Sequence, residues 1–470
     1  MKYIYIFIFL FHHNFSKNLK QQNKNGEDKL LFVWEHFRHG ARGPYIGINP
    51  LTNLDLIGEK WDGIGELTPL GIRMLYLLGI STKKRYTNFI SNTYNPNEIY
   101  ITSTNVNRTL VSVNSFLKGF YNNKTSAHLT QAQINRSKIL NSNYSKLINL
   151  KIKDLENKSL EDGVNIIPVH IFDKEKLEFG LYSTSNCPGI GKFRKKNMNL
   201  KQIIDINEEI VKYTNDTFGK YIYKFMNVSD PLYLWKKNNN YYLADTFFSN
   251  YFDGRKMKFV ENSGIDMNSF YHNSLNVTYI DTYYNVFGIP STETVYISVS
   301  PLLRNLLKNM ELRINLDKEN KSDKIISNSP RFYIISGHDT SLAPIDIFMK
   351  SEFGIDFGMA TYASNQIFEL WKNSTTGKYS VHYIYNFEEK GIFDYDLFKK
   401  KLLSKLYNQE EIKRICYSQL SDDVINPQKN NSVIDNILFI IFVFISSSLI
   451  IIIIEISLIK LIHQIKLIRV

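Results

Sequence analysis

Leu30-Leu31-Phe32-Val33-Trp34, running directly into Arg38-His39-Gly40-Ala41-Arg42-Gly43-Pro44, is the stretch on which the fold of this chain turns. A run of aliphatic and aromatic residues closed by Gly and Pro predicts a strand over 29–37. The loop that follows places one imidazole between two guanidiniums. A guanidinium presents a planar fork of donors that matches phosphate oxygens, and a neutral imidazole held between two such forks is a nucleophile set against an oxyanion. His39 is therefore the candidate nucleophile, with Arg38 and Arg42 as candidate anion ligands.

The same pattern recurs along the chain. In Leu67-Thr68-Pro69-Leu70-Gly71, Thr68 serves as N-cap and Pro69 as the first helical residue, and Leu70, Met74, Leu77 and Leu78 follow at helical spacing. A second strand over 98–102 runs into Ser103-Thr104-Asn105-Val106-Asn107-Arg108-Thr109-Leu110 and an apolar-periodic stretch to residue 120. A third, over 332–336, ends at Ser336-Gly337-His338-Asp339-Thr340. Strand, polar loop, helix, three times over, predicts an α/β sheet whose functional loops gather beyond the strand C-termini. The spacing also predicts a return to the sheet at 293–298, a helix over 301–312 and a terminal hairpin from 365–371 and 379–385.

Taken in order, these segments resemble the signatures of the histidine acid phosphatases: RHGxRxP, LTxxG, STDxDRTL and SxHDT. Ile166-Ile167-Pro168-Val169-His170 resembles a further PVH segment, and Asn186-Cys187-Pro188 an NCP segment. The similarity covers about 30–120 and 160–415. It implies a phosphoglycerate-mutase-like α/β sheet flanked by helices, with a catalytic domain in two parts, 28–186 and 286–417, and an inserted, mostly helical cap over 187–285. It also implies roles. His39 would form a phosphohistidine with a small phosphomonoester, and Arg38, Arg42, Arg108 and His338 would hold the phosphoryl group. Asp339 would protonate the leaving group, which gives an acidic optimum. No metal and no cofactor is expected, since the arginines supply the positive charge. Three positions depart from the pattern: Thr102, Asn105 and Asn107, which leave Arg108 itself in place.

The motifs leave the leaving group open between general phosphomonoesters, inositol phosphates and lysophospholipids. They also leave open a catalytically silent ectodomain that keeps the scaffold for ligand binding. A hydrolase built on Ser336 and His338 lacks the GxSxG elbow such a serine needs.

The 470 residues, 43% of them hydrophobic, suffice for a large core. A net charge of +12 comes from scattered lysines with no nucleic-acid signature, so it reads as solvated surface and no nucleic acid is expected as partner. Lys2 followed by an apolar run to Phe11 predicts a signal peptide over 1–16. The apolar stretch 437–459 predicts a membrane span, preceded by a polar stalk (418–436) and followed by a tail (460–470) with Lys460, Lys466 and Arg469. The expected topology is a single-pass type I protein whose catalytic domain is lumenal, in a lysosome or other acidic vesicle, or extracellular. Sequons at Asn123, Asn143, Asn227 and Asn276 fit an exported glycoprotein. Cys187 and Cys416 are the only cysteines, and by count alone they are two thiols or one disulfide; the resemblance implies the disulfide. A homodimer is left open.

Overall fold

The computed structural model describes residues 28–45, 63–121, 128–137, 151, 154–160, 166–172, 187–219, 239–255, 264–288, 293–322, 329–356 and 358–417. The expected signal, stalk, membrane span and tail lie outside these residues, as do Asn123, Asn143 and Asn227. Among the described residues no helix is long and apolar enough to cross a membrane. The chain divides into two compact units, Met1–Ile412 and Lys413–Val470, and the sheet with its site belongs to the first.

Among the described residues seven strands form one sheet: β1 (Lys29–Arg38), β2 (Ile99–Ser103), β3 (His170–Ile171), β4 (Phe332–Gly337), β5 (Asn365–Lys372), β6 (Tyr379–Tyr385) and β7 (Glu388–Asp394). Their spatial order is β3-β2-β4-β1-β5-β6-β7. The first four are mutually parallel and the last three antiparallel. The helices are α1 (Pro69–Arg85), α2 (Asn107–Phe120), α3 (Gln131–Arg136), α4 (Ile190–Met198), α5 (Lys201–Thr214), α6 (Asn239–Phe252), α7 (Met267–Tyr279), α8 (Glu293–Lys318), α9 (Asp339–Phe353), α10 (Tyr395–Leu403) and α11 (Gln409–Tyr417).

β1 lies mid-sheet and alternates its side chains between two cores. Val33 and Phe37 join α1 and α2 on one face; Phe32 and Trp34 join α8, α9 and α10 on the other. Burial on both faces is why its sequence reads as an almost unbroken apolar run. Trp34 is fully buried edge-on to Phe368, with centroids 5.7 Å apart, and its truncation to Ala costs about 3–5 kcal/mol. On the other face α1 and α2 touch backbone to backbone. A Cβ on Gly79 would stand 2.0 Å from Phe116 O, and one on Gly119 2.0 Å from Tyr76 O.

The helix predicted from Thr68 starts as expected, with Thr68 Oγ1 accepting from Gly71 N and Pro69 in the first turn. Strand pairing levels the ends of the three chemistry-bearing strands, since Phe37 and Ser103 both pair with Ser336 of β4. The predicted hairpin is β5 and β6.

One expectation fails and one strand was not foreseen. Residues 293–298 are the first turns of α8, not a strand, because Thr294 to Ser300 are all buried. An element buried all round carries no 3.6-residue stripe, and a short apolar run then reads equally well as a strand. β7 escaped notice because Glu388-Glu389-Lys390 give it a solvated edge with no apolar alternation. Neither Cys187 nor Cys416 is a free thiol; both are disulfide-bonded.

Candidate active site

All six residues singled out in the sequence meet beyond the level ends of β1, β2 and β4. His39, just past β1, has its backbone pinned on both sides: its N–H donates to Gly337 O at 3.0 Å and its carbonyl accepts from Ala363 N at 3.2 Å. Its Nδ1 lies 2.8 Å from Gly40 O. A carbonyl only accepts, so Nδ1 carries the proton and Nε2 keeps the lone pair. Nε2 has no hydrogen-bond partner among the described residues. Burial, reinforced by the charges of Arg108, Arg38 and Arg42, holds the basicity of His39 well below that of a free histidine.

The loop is seated on α1. Ala41 O accepts from Thr68 N at 2.9 Å, and a Cβ on Gly71 would stand 2.1 Å from that oxygen. Only glycine fits at this crossing.

Arg38 is 1% exposed. It donates from Nη1 to Ala360 O at 2.7 Å and from Nη2 to Asp339 Oδ2 at 2.7 Å, and its guanidinium lies over the Tyr362 ring. Arg42 forms a fork-to-fork pair with Asp245 of α6, Nη1 to Oδ2 at 3.1 Å and Nη2 to Oδ1 at 2.8 Å. The Nε–H groups of both arginines are buried without a hydrogen-bond partner among the described residues. A desolvated, unsatisfied donor is costly unless a ligand satisfies it, so two of them in one cluster mark an anion site. Arg108, in the first turn of α2, donates from Nη2 toward His338 Nδ1 at 3.4 Å. Arg42 and Arg108 flank the ring of Tyr45, at 5.7 and 5.5 Å.

His338 is neutral by the same reasoning as His39. A guanidinium only donates, so Nδ1 accepts and Nε2–H donates to Thr104 Oγ1 at 3.0 Å. Burial and then Arg108 lower its pKa to about 3. Its ring stands edge-on to that of His39, with centroids 5.4 Å apart. Beneath it, Ser341 Oγ accepts from His338 N and donates to His338 O, and the buried His36 reaches the same hydroxyl at 2.9 Å.

Asp339 opens α9, with Oδ1 accepting from Thr340 N at 2.7 Å. Burial pushes its carboxyl up, but Arg38 and Arg42 outweigh burial and hold it below the usual range. The empty site thus keeps Asp339 as a carboxylate.

Of the three departures, Thr102 is buried within β2, Asn105 is exposed, and Asn107 donates to Glu66 Oε1 at 3.0 Å. None touches His39. His170 stacks on Tyr100 at the sheet edge, with centroids 4.7 Å apart. Asp245 was missed by sequence reasoning. Its one signal is being the sole charged residue of α6, set in an aromatic run.

Mouse prostatic acid phosphatase is 40% identical to this chain over 96 residues, 20% of this chain and 24% of that protein. Lysosomal acid phosphatase of Xenopus laevis is 37% identical over 93 residues, 20% of this chain and 21% of that protein. The chain therefore matches under a quarter of the length of these curated relatives. In fold it is similar to the phytase of Hafnia alvei in complex with myo-inositol hexakis sulphate, with a TM-score of 0.53 and 12% identity over 82% of this chain and 98% of that one. Residues 15–386 match the histidine phosphatase superfamily (branch 2), and the chain belongs to that family.

Proposed function

We propose that this protein is an acid phosphatase that hydrolyses phosphomonoesters in two displacements. One observation carries the reading: a neutral imidazole with an unbonded Nε2 stands among three guanidiniums, two of which hold buried, unpartnered donors. In the first displacement His39 Nε2 attacks phosphorus, the P–O ester bond breaks, and Asp339 gives its proton to the leaving alkoxide. In the second, water attacks the phosphohistidine, gives its proton to Asp339, and phosphate leaves. Splitting one displacement into two lowers each barrier. Arg38, Arg42 and Arg108 act on the oxygens where charge is held in the transition state.

Asp339 must be protonated to act as an acid, yet Arg38 holds it ionised in the empty site. Substrate resolves this. An arriving phosphate competes for Arg38 and adds negative charge beside the carboxylate, and both effects raise its proton affinity. Burial and then the arginines keep His39 unprotonated in acid, so nucleophile and acid coexist at low pH.

The helices α4 to α7 are the proposed cap over this site, and the rings of Tyr362 and Tyr45 stand beside His39 and Arg42. The same reading makes the enzyme a lumenal or extracellular domain, anchored by 437–459. Its relatives' names, prostatic and lysosomal, fit that side of the membrane.

The test is hydrolysis of p-nitrophenyl phosphate by the full chain from pH 3 to 9, with and without EDTA, beside His39→Ala. We expect an acidic optimum, no effect of chelation, and a loss on the order of a thousandfold or more in the variant. A folded wild type with no activity across that range returns the chain to the silent scaffold.

A further inference from the structure

Resting on the phosphate site just proposed, we propose that Asp245 is its resident counter-anion: it occupies Arg42 when the site is empty and weakens the hold on phosphate when it is full. Asp245 belongs to none of the sequence motifs. It reaches the site from α6, and among the described residues its side-chain hydrogen bonds go to one short loop: both oxygens to Arg42, and Oδ2 also to Tyr45 N at 2.7 Å. Each partner of the ion pair is 3% exposed. A guanidinium this buried needs an anion, and in the empty site the anion is Asp245.

Counting donors shows what phosphate meets. A guanidinium has five N–H groups. On Arg42, Gly43 O and the two Asp245 oxygens take three of them. Among the described residues the Nε–H and the second hydrogen on Nη2 meet no acceptor, and these lie along one edge. Phosphate can therefore bind Arg42 without displacing Asp245. Both negative groups then share one guanidinium in a site with little water. Asp339 differs, because its proton uptake removes its charge as phosphate arrives. Asp245 has no such role and stays hydrogen-bonded to Arg42 through both oxygens. Like charges a guanidinium's width apart, at the effective dielectric of a protein interior, repel enough to change affinity by about tenfold or more.

The experiment is calorimetric titration of inorganic phosphate into the full chain at one fixed acidic pH, wild type against Asp245→Asn. The expected result is a Kd at least about tenfold lower in the variant, with the Ki of phosphate against p-nitrophenyl phosphate falling in parallel. A merely structural aspartate would give the opposite sign, so an unchanged or higher Kd overturns the proposal. The effect must also run through Arg42. Asp245→Asn added to Arg42→Gln should give no tightening, and tightening there overturns it too. Should Asp245→Asn fold poorly, Asp245→Ser is the second variant. For both, a melting temperature that phosphate raises more than in wild type supports the proposal, and one that phosphate leaves alone overturns it. A wild type that binds phosphate yet hydrolyses nothing sinks the hydrolase reading, while the binding comparison still decides the role of Asp245.

Discussion

Arg38 and Arg42 stand in one loop, yet their aspartates come from regions that differ in kind. Asp339 lies at the end of a parallel strand, two residues past Gly337, and offers Arg38 a single oxygen. Asp245 lies in a helix between β3 and α8, and offers Arg42 both oxygens. The strand-end pair commits one carboxylate oxygen to its arginine, and in the proposed mechanism substrate competes for that arginine and frees the carboxylate to act as the acid. The helix pair is closed at both oxygens and locks an arginine in place. The Asp339 side chain is 11% exposed against 3% for that of Asp245, and the pairs differ further in how many oxygens face the arginine.

Asp339→Asn against Asp245→Asn should separate the two most widely. Loss of the proton donor should cut kcat on the order of 10²–10³-fold for an alkyl phosphate such as glycerol phosphate and far less for p-nitrophenyl phosphate, whose leaving group needs little protonation. Asp245→Asn should change both substrates by the same factor. Equal losses on the two substrates for Asp339→Asn would remove it as the acid.

Glu35 sharpens the comparison because the only arginine acting on it, among the described residues, is Arg85 at a distance beyond a salt bridge. It is fully buried in β1, hydrogen-bonded by Asn365 and Thr82, and makes no salt bridge among the described residues. Burial, only partly offset by those hydrogen bonds, raises its pKa from 4.5 to about 7. The folded state therefore binds the proton more tightly than the unfolded chain. That contribution to stability is complete below pH 4.5 and is lost as pH rises to about 7, at a cost of about 3 kcal/mol. Glu35→Gln should abolish the loss, so denaturant titrations at pH 4 and pH 8 should show the variant gaining on wild type only at the higher pH. The same gain at both pH values would mean that the proton is not involved.

The smallest effect belongs to Asn107→Asp. Its side chain is exposed and meets Glu66, so restoring the family's acid should cost under about 0.5 kcal/mol and change kcat/KM less than threefold. A tenfold gain in kcat/KM would mean that this departure reaches the phosphate after all.

Every part of the site held by strand ends was legible in the sequence, because apolar strands and the polar residues that close them are contiguous. Arg38, His39, Arg42, Arg108, His338 and Asp339 all follow such runs by a few positions. What was not legible depends on packing between distant segments. Asp245 acquires its role only when α6 meets the loop at Arg42. The strand predicted at 293–298 was overruled by burial on every side, which erases the helical period. Tyr45 and Tyr362 are aromatic residues among many, and only the fold sets them beside the arginines.

Phe37, Ser336 and Ser103 form one row across three adjacent strands, and the functional side chains begin just past it. Neighbouring strands lie about 4.8 Å apart. The rings of His39 and His338, on neighbouring strands, are separated by 5.4 Å, close to that pitch. The sheet thus works as a gauge block, fixing the span across which a single phosphorus must fit by the repeat of its backbone hydrogen bonds. A slip of one residue between β1 and β4 would offset the two rings by about 3.3 Å and exchange the faces of Glu35 and His36. Strand register, more than any one side chain, is the dimension this active site cannot vary.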